Sequence, residues 1–538
     1  MSRTWHADIA VIGCSLGGVL AAWRASQSGQ RVVMVCEDAW IGGQFTAQAV
    51  PPDEHRLIEH GGASASYLRF RQDIREHYRR QPGFLDRAHL TEGTNPGNGW
   101  VSRLCFEPVV AARWFERLLL PAQRSGQLKL LRHSKCVAVV RRGRQIQSVS
   151  VQRGHHGDHG GHMGLNSVNV RVDTVLASLF IDATDTGDLL ALAELPYRIG
   201  KEAHAEFAEA DAPAQAMPLD QQPITHVMAL RRHAQPGPVT EPPEGYARWR
   251  AQGVPGHAHA LFSSSLPGRQ PGTSHSLPLA AAEESTTLDW WRYRRVVSAA
   301  QWRTSREDVT LVNWAQNDLA TSALIDGPRA RDEVERDARQ LTRCLLHWLQ
   351  TEAPRPQGGL GFPEWQPAPD LLGTRDGLAE RPYVRESRRM RACHTLTQCD
   401  LMKEPNQVDQ SVAIGWYPLD IHPTCQSGHS VNAQVQPFQI PLGCMIAQDV
   451  DNLLPASKNL GVTHLANACT RVHPVEWTIG EVAGTLAAFN LEQGHTPQDI
   501  FEQASLQQGL WARLDALGIA RQWPQALLRQ LTLQSKVI

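Results

Sequence analysis

The sequence predicts an α/β fold, and three features near its start carry that prediction. Asp8-Ile9-Ala10-Val11-Ile12 is a short apolar run that leads straight into Gly13-Cys14-Ser15-Leu16-Gly17-Gly18. An Ala-rich helical stretch follows to about Ser28, where Gly29 stops it. Arg31-Val32-Val33-Met34-Val35 is a second apolar run, with Glu37 just past its end. Strand, glycine turn, helix, strand and acid, in that order, form a dinucleotide-binding unit. Gly13 permits the tight turn and Gly18 lets helix and strand pack closely. The free N–H groups at the helix N-terminus suit a pyrophosphate. Glu37, 24 positions after Gly13, is spaced to bond a ribose diol. Ser15 stands where the fingerprint has its second glycine; it is small enough for backbone approach, and Gly17 adds slack.

The chain has 538 residues, too many for one core, so two or more domains are expected. With 42% hydrophobic residues it can bury large cores. Lys+Arg is 53 and Asp+Glu is 54, which gives no electrostatic case for nucleic acid or an anionic membrane surface. Ten cysteines are scattered without a CxxC pair or metal-ligand spacing, which predicts free buried thiols, a reducing compartment and no metal site. No apolar stretch of about 18 residues suggests a transmembrane helix. The first strand begins within about seven residues of Met1, leaving no room for a signal peptide. A soluble, cytoplasmic protein is expected.

Further along, residues 65–80 read as a basic helix with Tyr67, Phe70, Ile74 and Tyr78 near helical spacing. Glu107-Pro108 opens another helix with Val110, Trp114, Leu118 and Leu119 on its apolar side. Residues 128–152 and 168–181 are strand-like and suggest a small antiparallel meander. The His155–His162 cluster between them reads as a solvated, glycine-rich hairpin tip rather than a metal site. Residues 205–275 look like long loops and short strands of a second domain. Gly327-Pro328 opens a helix to about Glu352, with Val334, Ala338, Leu341, Leu345 and Leu349 as its apolar stripe. Residues 353–380 are loop-like. Short strands return from about Tyr417, Val475–Leu491 reads as a helix, and 496–538 as a helical tail.

Three segments turn a nucleotide into a flavin. Phe180–Asp188 is an apolar strand ending in small and acidic residues, as where a strand feeds a ligand crevice. Asp449–Asn459 is the second. The third, Thr470-Arg471-Val472-His473-Pro474, precedes a helix bearing Gly480, Ala483 and Gly484. Small residues at that spacing admit either a flat ring or another backbone, and the helix N-terminus near Val475 suits negative charge on a reduced flavin. With Trp40–Gln44, Pro51–His55, Tyr383–Arg389, Tyr417–Pro423 and Pro437–Pro441, these stretches resemble the FAD-dependent oxidoreductase family of the glutathione-reductase-type superfamily, in a subgroup loosely labelled xanthan lyase-like. The matching segments cover about a third of the chain.

The resemblance implies FAD as cofactor and a Rossmann-like FAD-binding domain with an inserted α+β substrate or cap domain. The expected divisions are 1–205 and 410–495 for the FAD-binding domain, 206–409 for the cap and 496–538 for the tail. It implies that Gly13, Ser15, Gly17 and Gly18 hold the pyrophosphate and Glu37 the adenosine ribose. Gly42, Gly43 and Gln44 would lie along the flavin, and Asp182 and Gly187 near the adenylate end. Lys458 and the Arg471–Val475 turn would face the ribityl and pyrimidine side; Ser457-Lys458 departs from the usual Gly-Arg. Gly43-Gln44-Phe45-Thr46 lacks the cysteine pair of a disulfide reductase, and no second strand–GxGxxG–helix unit supports a dedicated NAD(P)H domain.

The expected reaction is oxidation of a C–OH or C–N bond of a small metabolite, with oxygen or another acceptor taking the electrons. A monooxygenase using an external reductant, and a flavin-binding scaffold or sensor without turnover, are the alternatives. Hydride removal needs a group to take the accompanying proton, and histidine is matched to that near neutral pH. His422, His464 and His473 are the candidates. Arg385 could clamp an anion with Glu386 orienting it. Glu54 and His55 read as a solvated loop or as lining the substrate side, and Trp477 as core or as a wall of the flavin.

Overall fold

A computed structural model describes residues 2–85, 93–154, 171–268, 273–282 and 285–535. The His155–His162 cluster lies outside the described residues.

The opening unit folds as its pattern dictates. Strand β1 (Ile9–Ile12) enters the glycine turn, helix α1 (Leu16–Gln27) follows, and β2 (Val32–Val35) returns beside β1. Every residue of both strands is buried, as a parallel sheet covered on both faces requires. Strands β3 (Leu128–Leu131), β4 (Leu179–Asp182) and β5 (Leu453–Pro455) complete a five-stranded sheet in the order β5-β4-β1-β2-β3, with every pairing parallel. The strand drawn from the C-terminal third thus lies next to β4, at the edge opposite β3.

Helix α2 (His473–Gln493) packs along α1. Its glycines serve that contact. A Cβ on Gly480 would meet the Gly17 carbonyl oxygen at 2.2 Å, and one on Gly484 would meet that of Ala21 at 2.2 Å. The small-residue spacing therefore admits a backbone, α1, and not a flavin ring. Trp477 is fully buried among Tyr67, Phe70 and Trp114, with its indole N–H donated to the Ser66 hydroxyl at 2.8 Å, so it is core.

The expected meander is present: 134–142 and 145–153 pair antiparallel, 171–176 follows, and Thr4–His6 adds in parallel. A second lobe carries an antiparallel four-stranded sheet of 295–297, 309–312, 228–232 and 365–367, within the stretch expected to form the cap. The helix Arg331–Thr351 lays Val334, Ala338, Leu341 and Leu345 into that lobe's own apolar core with Trp314, Trp348 and Trp365. The tail is helical at Pro497–Glu502, Ala504–Ala516 and Gln525–Ser535. No helix among the described residues is long and apolar enough to cross a membrane.

One expectation about the cysteines is corrected. Cys14 and Cys36 are disulfide-bonded, with Cα atoms 5.0 Å apart. The parallel register sets Ile12 opposite Val35, so the residues just beyond both strand ends converge although 22 positions separate them in sequence. Cys105, Cys136, Cys344, Cys444 and Cys469 are free and buried, as expected. The pairing removes the cysteine argument for a reducing compartment.

Candidate functional site

The C-terminal ends of β1, β2 and β4 open onto a cleft of about 710 Å3, counting its open mouth. Gly13 turns the chain at φ +108°, and a Cβ there would meet the Ala183 oxygen at 2.2 Å. Gly17 allows a tighter approach still: its Cβ would fall 1.6 Å from the Ala456 oxygen, so β5 would have to move. Ser15 does more than tolerate the second glycine position. It is the N-cap of α1, and its Oγ accepts from the Gly18 amide at 3.2 Å.

Glu37 lines the same cleft, 3.0 Å from Arg381 and 3.7 Å from Lys135. Burial pushes its carboxyl up, but Arg381 and Lys135 outweigh burial and hold it below the ordinary carboxylate value. It is therefore an ionised acceptor, as a ribose diol requires. Next to it Asp38 is pushed up to about 7 by burial while it accepts from Arg381 at 2.7 Å. Arg381, Lys135 and Arg331, which also lines the cleft, were not legible in the sequence because they arrive from distant segments.

Asp182 and Gly187 shape the turn after β4 rather than line the cleft. Asp182 accepts from Thr184 N at 3.0 Å and from Leu189 N at 3.2 Å, and burial raises its carboxyl to about 6. Gly187 sits at φ +64° against the Arg388 carbonyl. The turn presents Asp185, whose Oδ1 accepts from buried Lys458 at 2.8 Å. Glu476, in the first turn of α2, lies 3.7 Å from Lys458, accepts from Ser457 Oγ at 3.2 Å and meets the Gly17 amide at 3.4 Å. Gln44 donates to Glu476 and to the Arg471 carbonyl. Gly42 and Gly43 fit against Phe115 and the start of α1. The side chain of Val475 is core, and its amide donates to Val472 O at 3.1 Å.

The ADP half of FAD fits this cleft: it meets a capped helix N-terminus, an ionised acid at ribose spacing and flanking cations. Two buried acceptors near it, Gln44 Oε1 and Gln48 Oε1, have no protein partner and suit the hydroxyls of a nucleotide chain.

A second cluster forms where the two lobes meet. Strand 224–225 pairs with 318–319, and Tyr383 bridges to Thr225, which brings Asp318 beside Arg385. Arg385 donates to Pro223 O at 2.8 Å, Thr225 Oγ1 at 2.9 Å and Asp318 Oδ1 at 3.0 Å. Glu386 does not orient it. That carboxylate instead accepts from Gln222 N at 2.7 Å and lies 3.1 Å from His464 Nδ1. His422 places Nδ1 2.6 Å from Asp318 Oδ2 and Nε2 3.4 Å from Asp420 Oδ2. Arg471 donates to the Tyr383 hydroxyl at 2.6 Å and to Asp420 O at 3.0 Å. Burial and Arg385 pull the His422 pKa down, but Asp318 and Asp420 outweigh them and hold it above the ordinary imidazole value.

The three candidate histidines differ in what is left free. His473 accepts from the Asp53 amide at Nδ1 (3.0 Å) and contacts Val50 O through Nε2 (3.2 Å), and burial lowers its pKa to about 4. Both nitrogens are spent on the backbone, so His473 anchors the 50–53 loop. His464 is buried to 2% exposure, with Nε2 lacking a partner. His422 also has both nitrogens facing partners, but these are carboxylates, the Nε2 contact with Asp420 is long at 3.4 Å, and 25% of its side chain stays open. Glu54 and His55 are not a solvated loop. Glu54 is buried against Arg71, Tyr67 and Ser102, and His55 Nε2 donates to Gly62 O at 3.2 Å, its ring between Trp416 and Trp523.

A family model described as FAD dependent oxidoreductase matches residues 8–510. None of the curated proteins matches the chain. Among solved structures, a geranylgeranyl bacteriochlorophyll reductase-like protein from Thermoplasma acidophilum is 9% identical over 95% of this chain and 84% of that one, at a TM-score of 0.33. A variant of E. coli quinol fumarate reductase FrdA is 11% identical over 95% and 75%, at 0.32. L-proline dehydrogenase from P. horikoshii is 15% identical over 35% of this chain, at 0.19, and the match spans only 24% of that protein's length.

Proposed function

The chain belongs to the FAD-dependent oxidoreductase family, and from that premise we propose that it oxidises a C–OH or C–N bond of a small metabolite, with His422 taking the substrate proton. It is an enzyme, and FAD is its cofactor. Bound FAD supplies a two-electron acceptor for hydride. In the proposed reaction the substrate loses a hydride from carbon and a proton from oxygen or nitrogen, and that proton goes to His422 Nε2. Gly13, Ser15, Gly17 and Gly18 would hold the pyrophosphate, Glu37 the adenosine ribose, and Gln44, Lys458 and Arg471 the flavin side. Oxygen or another acceptor would then remove the electrons.

The observation that carries this reading is the His422–Asp318 contact of 2.6 Å on a histidine that keeps a quarter of its side chain exposed. Asp318 is itself pinned by Arg385 and Thr225, so the ring is held in one orientation. Anaerobic mixing of the holoenzyme with alcohols, sugars, amines and amino acids, followed by flavin absorbance, tests it. One of these classes should bleach the flavin, and His422→Asn should slow that bleaching by about 10²–10⁴-fold at unchanged FAD content. Equal rates in the variant would refute the role of His422. A flavin reduced only by NAD(P)H would refute substrate dehydrogenation.

A further inference from the structure

The junction of the lobes holds three buried arginines, and they are not equally satisfied. Arg385 makes bonds of 2.8–3.0 Å and Arg471 bonds of 2.6 and 3.0 Å, the lengths of charge-assisted pairs. Arg294 is different. Its contacts are Asp53 Oδ1 at 3.3 Å, the Tyr293 hydroxyl at 3.3 Å and Pro51 O at 3.5 Å, all at the long limit. Its Nε is buried without a partner, as are those of Arg385 and Arg471, so the long terminal contacts are what set Arg294 apart. A guanidinium with 8% of its side chain exposed and no short bond is under-coordinated. Burying a charge in that state is costly unless a partner completes it.

The charges around it lean one way. With His422 neutral, Arg294, Arg385 and Arg471 balance Asp53, Asp318 and Asp420; once His422 holds the substrate proton, one positive charge is in excess. Half-buried Tyr293 and Tyr417 lie in the fields of Asp53 and Asp420, so the phenols belong to the same wall. One monoanion balances the set, whereas a dianion would overshoot it. A planar carboxylate matches the guanidinium fork.

We infer that the substrate carries a carboxylate, and that Arg294 is the residue that recognises it. This rests on the proposed placement of substrate at His422. Arg294 comes from the cap-side lobe and its partner Asp53 from the loop after Gly42-Gly43-Gln44, so an anion at that point would tie the lobes together at the site.

Holoenzyme titrated with benzoate, benzamide and phenylphosphonate, followed through the absorbance of bound FAD, tests the inference without turnover. Benzoate should give a saturable shift at least about tenfold tighter than benzamide and phenylphosphonate. Arg294→Met should erase the preference for benzoate over benzamide at unchanged FAD content, and Arg294→Lys should keep part of it. Equal affinities, or no saturable shift with benzoate, would overturn the inference whether or not the variants fold. If benzoate binds as stated but no hydroxy or amino acid bleaches the flavin, the carboxylate site stands and the dehydrogenation reading fails. If neutral alcohols or amines bleach it while benzoate is ignored, the reverse holds.

Discussion

Replacing Asp318 with asparagine removes one negative charge 2.6 Å from His422 Nδ1 and changes little else in shape. Three groups then face the ring: Asp420 at 3.4 Å, and Arg385 and Arg471 beyond the two carboxylates. A close opposite charge of this kind is worth about 1–3 pKa units to an imidazole. Arg385 also loses its 3.0 Å partner, and its uncompensated charge pushes the same way. The sign follows. Asp318 holds the His422 pKa up, so removing it lowers the pKa, and the pH above which a neutral ring can accept a proton moves down. In the wild type, flavin reduction by substrate should rise with pH through a midpoint above the ordinary imidazole value. In Asp318→Asn that midpoint should fall by about 1–3 pH units while the plateau drops by about 10²–10⁴-fold, because the ring loses its anchor. Stopped-flow reduction between pH 5 and 10, with FAD content checked at each point, reads both. A plateau that drops with no movement of the midpoint would show that Asp318 only holds the fold, and the reasoning would fail.

Acid should destabilise the protein through its buried neutral histidines. Burial lowers His55, His226 and His473 to about 4 each, so the unfolded chain binds more protons below its own pKa near 6.5. Stability present above pH 6.5 is lost as pH falls toward 4, at about 3 kcal/mol per histidine. Urea titrations at pH 7.5 and 4.5 should differ accordingly, and a flat profile would contradict these burials. Gly480→Ala places a methyl 2.2 Å from the Gly17 oxygen, where α1 meets α2, and should cost about 1–3 kcal/mol and loosen FAD, as read by thermal melting and FAD release. Opening the 22-residue spacing closed by Cys14 and Cys36 with Cys36→Ser should cost about 3 kcal/mol, and reductant should then have no further effect on the variant's melting.

The glycine turn and the acid that line the cleft were legible because their signals are local. Gly13, Ser15, Gly17, Gly18 and Glu37 all sit within one strand–helix–strand unit, and the glycines answer steric demands that a sequence displays directly. Glycines at 480 and 484 were legible only as small; nothing along the chain says whether a ring or a helix lies against them. The candidate proton site was half legible. His422 stood out by residue type and neighbourhood, but its partner Asp318 sits 104 positions away on a two-residue strand. Arg385 was named with the wrong companion, since Glu386 is adjacent in sequence yet turns to Gln222 and His464. Arg294 and Arg381 carried no pattern, and Asp53 stood out only as part of Pro51–His55, because their meaning comes from charges supplied by other segments. His473 passed for a base because a sequence does not show that both its nitrogens are already engaged.

The parallel sheet is finished by a strand that begins at residue 453, and the glycine turn is finished by a side chain 459 positions further on, where Gly17 meets Glu476. The cofactor pocket is therefore a late event in the life of the chain. A nascent polypeptide emerging from the ribosome displays its first strand, turn and helix long before β5 and α2 exist to close over them, and during that interval the apolar faces of α1 and β4 must be sheltered by something other than their final neighbours. The expected consequence is that flavin loads at the end of synthesis, and that a chain stopped between residues 37 and 453 keeps the whole glycine fingerprint but shows no flavin colour.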